Sequence, residues 1–182
     1  GIRLYEPDAL TLVAAAGTPL AEVEGVLAAK GQRLAFEPSD WRGLLGTTGH
    51  PTLGGMVAAN ISGPRRVQAG ACRDALLGVR FVDGTGAVVK NGGRVMKNVT
   101  GYDLVKLMAG SWGTLGIITE VALKVLPAPQ AVASLTLTGL DDASAVRAMA
   151  AALGSPYEVT AAVHHRGRDG AQGKTRFRLE GL

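Results

Sequence analysis

The run RVMKNVTGYDLVKLMAGSWGTLGIITEVALKVLP, from Arg94 to Pro127, restricts the fold more than any other part of the chain. Its middle has helical spacing, with Leu104, Leu107 and Met108 on one face, Asp103 in the first turn and Gly110 where a left-handed C-cap belongs. A strand follows, with Ile117, Thr119, Val121, Leu123 and Val125 expected on the inward face and Glu120 and Lys124 on the other. Between the two lies Ser111-Trp112-Gly113-Thr114-Leu115-Gly116, a turn whose glycines leave main-chain amides unshielded. Glycine has no Cβ, so such a turn either lets backbone approach a planar or anionic ligand or supplies the positive φ of a tight connection. The residues alone leave both readings open.

Thr52-Leu53-Gly54-Gly55-Met56-Val57-Ala58-Ala59-Asn60 is the second stretch with chemistry in it. Paired glycines followed by small residues read as a tight turn opening a short helix, where free N–H groups face a ligand phosphate. The alternative is a helix packed closely through Ala58 and Ala59. Upstream of it, residues 37–51 hold two prolines, three glycines and Trp41, a loop long enough to be functional. Downstream, Arg65 and Arg66 offer a bidentate clamp for a carboxylate, or a solvated pair.

The run GYDLVKLMAGSWGTLGIITEVALKVLP, read with EPSDWRGLLGTTGHPTLGGMVAANISGPRR, resembles the FAD-linked oxidases of the vanillyl-alcohol-oxidase type and, within them, the FAD-binding subunits of bacterial glycolate oxidases. The likeness covers Leu10 to Pro127. It implies an α+β fold: an FAD-binding domain over residues 1–127 whose N-terminal part, with the family's glycine-rich phosphate loop, lies before Gly1, then the start of an α/β cap domain over 128–182. It implies FAD as cofactor, with Pro38, Ser39, Thr52, Gly54, Gly55, Ala59, Asn60, Gly113, Thr114, Leu115, Gly116, Ile117 and Ile118 as its contacts. Trp112 stands where the family usually has Glu, and indole cannot accept the hydrogen bonds a carboxylate does.

The function implied is oxidation of a small 2-hydroxy acid to a 2-oxo acid, in a complex with a second FAD-containing subunit and an iron–sulfur subunit. Two alternatives are a non-catalytic assembly or electron-transfer subunit and a self-sufficient D-lactate-type dehydrogenase. The implied location is cytoplasmic, with any contact with the inner face of the membrane made through partners. Such oxidation needs a hydride acceptor, a cation for the carboxylate and a base for the hydroxyl proton. No residue of this chain is assigned as that base: Asp103 reads equally well as a helix cap, Lys97 as solvated, and Tyr102 is not assigned.

Composition narrows the alternatives. The net charge is +4 and the pI about 9.5, yet the 19 Lys and Arg are scattered and aromatics are only 4%, too few for base-stacking platforms, so nucleic acid is not the expected partner. No apolar run reaches the ~18 residues of a membrane span. The single cysteine, Cys72, reads as a small buried residue. His164 and His165 are adjacent and point to opposite faces of a strand, His50 stands alone, all three read as surface residues, and no metal site is expected.

The remaining elements read as scaffold. Leu10 to Ala16 is a strand, Thr18 an N-cap with Pro19 opening a helix that turns Leu20, Val23 and Leu27 inward, and Arg33 to Phe36 a further strand. Leu76 to Lys90 is a hairpin with Leu77, Val79 and Phe81 on one face and Asp83-Gly84-Thr85-Gly86 as its turn. Pro127-Ala128-Pro129 marks a boundary. Beyond it come a strand from Ala133 to Thr138, a helix capped by Asp141 with Ala145, Ala148, Met149 and Ala152 on one side, and a strand over 157–163. Residues 166–174 are polar and read as mobile; the sequence ending in Gly173-Lys174-Thr175 imitates a phosphate loop but has Arg168 in place of its first glycine.

Overall fold

A computed structural model describes residues 1–94, 101–167 and 171–181. The chain divides into two compact units, Gly1–Ala128 and Pro129–Leu182.

The first unit contains β1 (Ile2–Glu6), β2 (Thr11–Ala15), α1 (Leu20–Ala28), β3 (Gln32–Arg33), α2 (Arg42–Leu45), α3 (Leu53–Ala58), α4 (Arg66–Ala69), α5 (Cys72–Ala75), β4 (Leu76–Val82), β5 (Val88–Gly92), α6 (Leu104–Met108), β6 (Ile117–Lys124) and β7 (Leu126–Pro127). Five strands form one antiparallel sheet in the order β1-β2-β6-β4-β5, while β3 and β7 pair separately. Both faces are not equal. Leu12 and Ala14 of β2, Val79 and Phe81 of β4, and Val121 and Leu123 of β6 are buried against Val23 and Leu27 of α1, Leu53, Met56 and Val57 of α3, and Val105 and Met108 of α6. Each fully buried side chain of this size stabilises the fold by about 1.5–3 kcal/mol relative to exposure. Cys72 is buried in the same core, as expected.

The hairpin forms where its turn residues place it. Asp83 Oδ1 accepts hydrogen bonds from the Thr85 N–H and hydroxyl and from the Ala87 N–H, at 2.7–3.0 Å. Its inward face starts at Leu76 rather than Leu77, because the β4–β6 register shifts between Leu76 and Gly78 and reverses the alternation there.

Other expectations are corrected. Thr18 does not cap α1: Pro19 is the N-cap residue, and the Thr18 hydroxyl is buried without a hydrogen-bond partner. Of the expected Arg33–Phe36 strand only Arg33 pairs, together with Gln32 before it, while Leu34, Ala35 and Phe36 enter the core as irregular chain. In α6 the buried face is Val105 and Met108, with Leu107 56% exposed, so the helix is rotated from its expected orientation. On β6, Val121 and Leu123 are fully buried, but Ile117 and Thr119 are exposed because the β4–β6 register shifts between Arg80 and Phe81 and reverses the alternation, so that Ile118 packs on the core instead.

The second unit has β8 (Ala131–Thr138), α7 (Asp142–Leu153), β9 (Val159–His165) and β10 (Lys174–Gly181). Its sheet order is β8-β10-β9, with β10 antiparallel to both neighbours. Strands β8 and β9 are therefore parallel, joined through α7, and β10 fills the position between them. Asp141 caps α7 by accepting the Ser144 N–H at 2.7 Å. Ala145 is fully buried and Ala148, Met149 and Ala152 are half-buried, on one face. The sequence reading missed β10. Its alternation of Lys174, Arg176 and Arg178 with buried Thr175 and Phe177 is the period-2 signal, masked by the glycines before it. Lys174 and Thr175, the end of the phosphate-loop imitation, are strand residues, and Arg168 lies outside the described residues.

Candidate functional site

Helix α3 is anchored at both ends, and that anchoring builds the site. At its start the Leu53 N–H donates to Thr18 O (2.9 Å), Gly54 N–H to Ala16 O (2.7 Å), Gly55 N–H to Thr52 Oγ1 (3.3 Å) and Met56 N–H to Thr52 O (3.0 Å). The three first-turn amides that would otherwise be open to a phosphate, those of Leu53, Gly54 and Gly55, are thus occupied, and Met56 makes the first intrahelical bond. At its end the Gly110 N–H donates to Val57 O (3.1 Å) and the Trp112 N–H to Ala58 O (2.9 Å), so the two glycine-rich stretches are zipped together through main chain. Gly110 has φ +81°, as a left-handed cap requires, but its amide bonds α3 rather than closing back onto α6.

The result is a groove of about 320 Å³, within the size range of small-molecule sites. Pro38, Ser39 and Trp41 line one side, Thr52, Gly55, Met56 and Ala59 another, and Trp112 completes it. Gly55 is exposed, and a Cβ there would meet only Thr52 Oγ1 within 4 Å, so the missing side chain leaves room for a ligand against the helix. Apolar, planar walls over accessible backbone suit a flat heteroaromatic ring. The ionisable groups among the described lining residues are Arg42 and His50.

Arg42 is fixed by Asp40, whose carboxylate accepts its main-chain N–H at 2.9 Å and its guanidinium at 2.7–3.0 Å. The side-chain bond to Arg42, then the backbone one, hold the Asp40 pKa down at about 2. Trp41, Arg42, Leu45, Thr47, His50, Met56 and Ile61 line the groove without having been singled out as ligand contacts; the length of the loop over 37–51 and its Trp were the signals present.

The sequence-derived contacts divide. Pro38, Ser39, Thr52, Gly55 and Ala59 line the groove. Gly54 is buried against β2, where a Cβ would lie 2.5 Å from Ala16 Cβ. Asn60 has φ +50°, and its Oδ1 accepts the Arg73 N–H at 2.9 Å. Gly113, Thr114, Leu115, Gly116, Ile117 and Ile118 continue beyond Trp112 outside the lining; Thr114 bonds back to Ser111 O, and Gly116 packs against β4, where a Cβ would lie 2.5 Å from Val82 O. Leu115 and Ile117 are exposed.

The arginine clamp is not formed as imagined. Arg65 is buried and donates from Nε to Ala35 O at 3.1 Å, tying the chain after α3 to residues 34–37, while Arg66 is exposed. Asp103 caps α6 through the Lys106 N–H, Tyr102 is 89% exposed, and Lys97 lies outside the described residues. His50 and His165 are exposed, but His164 is tucked between elements, with Nδ1 2.9 Å from Thr175 Oγ1 and Nε2 3.4 Å from Asp142 Oδ1. No group of three or more His, Cys, Asp or Glu placed to hold a metal occurs among the described residues. No helix among them is long and apolar enough to cross a membrane. A second hollow of about 310 Å³ over β1, β2, β6, β4 and β5 contains none of the expected contacts.

Residues 1–92 match the FAD binding domain family, and the chain belongs to it. Its fold is the FAD-binding domain of the vanillyl-alcohol-oxidase type, α+β in class, and its cofactor is FAD. Among curated relatives it is similar to glycolate oxidase subunit GlcE of Escherichia coli (strain K12), 47% identical over 135 residues, covering 74% of this chain and 37% of that protein. It is also similar to a D-lactate dehydrogenase of Anaerostipes hadrus, 51% identical over 86 residues, covering 47% of this chain and 18% of the relative. The chain therefore spans little more than a third of the first of these relatives and less of the second. A solved alkyldihydroxyacetonephosphate synthase shares the fold, with TM-score 0.76 and 24% identity over the whole of this chain and 36% of its own.

Proposed function

We propose that this chain is part of the FAD-binding subunit of a glycolate oxidase complex that oxidises a small 2-hydroxy acid to a 2-oxo acid. In that complex it works with a second FAD-containing subunit and an iron–sulfur subunit. The observation that carries the reading is the main-chain zipper between Gly110-Trp112 and Val57-Ala58, which brings Trp112 of the second glycine-rich stretch to the apolar groove lined by Thr52, Gly55 and Ala59 of the first. The names of the relatives, a glycolate oxidase subunit and a D-lactate dehydrogenase, supply the substrate class. FAD, when bound, accepts the hydride equivalent from the carbon bearing the hydroxyl.

The chain's own residues have simpler tasks. Pro38, Met56 and Trp112 exclude water from a bound ring, and Gly55 lets it approach the helix. Gly54, Asn60 and Gly113 to Ile118 complete the proposed set of contacts with the rest of the cofactor. Residues 128–182 are assigned as the beginning of a cap domain, and a cytoplasmic location follows from the same reading.

The test is visible flavin absorbance, after FAD addition and gel filtration, of the purified full-length subunit of which this chain is proposed to be part. Bound flavin is expected, and its loss in Gly55→Leu with unchanged far-UV circular dichroism; a protein that retains no flavin under any condition rejects the reading. One observation favours a non-catalytic electron-transfer or assembly role: Arg42 and His50 are the ionisable groups of the described lining, and Arg42 is already paired. Turnover of glycolate and D-lactate by the protein alone and with its partners separates that role from a catalytic subunit and from a self-sufficient D-lactate dehydrogenase.

A further inference from the structure

The hollow over the five-stranded sheet lies on the face turned away from α1, α3 and α6, and the strand register sets out its residues in two neighbouring rows. In the first row Leu4, Val13, Ala122, Gly78 and Gly92 stand opposite one another across β1, β2, β6, β4 and β5. These residues are apolar or small, and they leave a trough of about 310 Å³. Gly78 keeps the floor bare of necessity, since a Cβ there would lie 2.6 Å from Gly93 O. In the second row, two residues along each strand, Glu120, Arg80 and Lys90 stand opposite one another on β6, β4 and β5.

Arg80 and Lys90 are like charges directly opposite each other on adjacent strands, an arrangement that costs stability. Opposite residues of this kind have Cβ atoms about 4.5–5.5 Å apart, so both head groups reach a single oxyanion placed between them. Compensation from within the protein is incomplete. Glu120 Oε1 lies 3.8 Å from Arg80 Nε, too far for a hydrogen bond, and Lys90 has no ion pair among the described residues. Arg94 Nη1, also at the hollow, lies 3.6 Å from Glu6 Oε1 in the same loose way. Three cations thus line the trough against one carboxylate.

We propose that this hollow binds a small organic oxyanion, a carboxylate or a phosphate monoester carried on a short apolar body. The oxyanion accepts charge-assisted hydrogen bonds from the Arg80 fork and the Lys90 ammonium and relieves their repulsion. The body lies along Leu4, Val13 and Ala122. The hollow shares no lining residue with the groove of Trp41 and Gly55, and its ligand does not depend on the flavin reading.

The experiment is isothermal titration calorimetry of the full-length protein, with FAD added, against glutarate and, separately, glycerol 3-phosphate at low ionic strength. Saturable one-to-one binding is expected. Heat from glutarate assigns the site to carboxylates, and heat from glycerol 3-phosphate alone assigns it to phosphates. Arg80→Gln and Lys90→Gln each weaken binding about tenfold, the scale of a lost hydrogen bond to a charged group. Arg80→Lys and Lys90→Arg retain most of the affinity, which separates lost charge from lost structure. Glu120→Gln tightens binding severalfold, because a carboxylate no longer competes for Arg80. Lys30→Gln, which removes an exposed cation outside the hollow, leaves the affinity unchanged. The proposal is overturned if neither anion binds, or if Arg80→Gln and Lys90→Gln weaken binding no more than Lys30→Gln does. It is also overturned if added FAD abolishes binding, since the anion then occupies the flavin groove. Failure of FAD itself to bind, with anion binding intact, rejects the flavin reading and leaves this site standing.

Discussion

Gly54 and Gly55 are neighbours in the sequence with opposite reasons to be glycine. At Gly54 a Cβ would lie 2.5 Å from Ala16 Cβ and 3.0 Å from Ala16 O, so Gly54→Ala forces β2 and α3 apart. Overpacking of this kind costs about 1–3 kcal/mol, and urea denaturation is expected to show a loss of that size. At Gly55 the new methyl meets only the Thr52 hydroxyl at 3.3 Å and otherwise points into the groove. Gly55→Ala is thus expected to change stability by less than about 1 kcal/mol, helped by better helix propensity, while FAD affinity measured by flavin fluorescence falls. A pair of glycines was legible in the sequence; that Gly54 packs against Ala16 while Gly55 faces the groove depended on the position of Ala16, far away in the chain. Cys72 makes a comparable point. Burial, with the Asp74 charge adding to it, pushes its thiol pKa up to about 12. A folded-state pKa above the unfolded value of about 9 means that Cys72 contributes stability fully present below pH 9 and lost as pH rises toward 12. Thiol reagents at pH 8 are expected to label it only after unfolding.

At the scale of elements, short helices are held by what they touch. Helices of four to six residues are too short to persist alone. Lys106 of α6 donates from Nζ to Arg73 O and to Leu76 O (3.1 Å), joining α6 to the junction of α5 and β4. Lys106→Met keeps the aliphatic stem and removes both bonds, and is expected to lower stability by about 1.5–3 kcal/mol in chemical denaturation. At α2 the element depends on pH. The Asp40 carboxylate holds the first turn, its pKa is lowered to about 2, and its contribution is present above the ordinary value near 3.8 and lost as pH falls toward 2. Emission from Trp41 is expected to be insensitive to this group across neutral pH and to change below pH 4; Asp40→Asn should abolish that transition. Helix and strand existence was readable from periodicity in α1, α3, α6, α7 and the β4–β5 hairpin. Facing was less so: Leu107 and Ile117 obey the inward pattern yet remain exposed, because periodicity records spacing and not which neighbour arrives.

For the whole molecule, tryptophan emission follows the first unit, since both tryptophans lie within Gly1–Ala128. A ligand that binds only the folded state stabilises it by mass action, about 2.7 kcal/mol at a hundredfold excess over its dissociation constant. Saturating FAD is therefore expected to raise the urea midpoint read by tryptophan, and Gly55→Leu to remove that rise. Phe36→Ala, in the centre of this unit's core, is expected to lower the same midpoint by about 3–5 kcal/mol in stability, through lost transfer energy and the cavity left behind. The five-stranded order β1-β2-β6-β4-β5 inserts β6 between strands distant from it in sequence, a pairing no local pattern announces. The amino-acid sequence by itself determined the family, through the resemblance of its two glycine-rich stretches to the family's motifs, and most of the helices and strands, through hydrophobic period and turn chemistry. Tertiary structure alone decided that α3's first amides are occupied, that Arg65 is a buried tie to Ala35, that His164 is enclosed, and that Trp41 faces Trp112. The physical reason is common to all four: each depends on a hydrogen bond or ring contact with a residue remote in sequence or turned by its neighbours, and such partners exist only once the chain has packed.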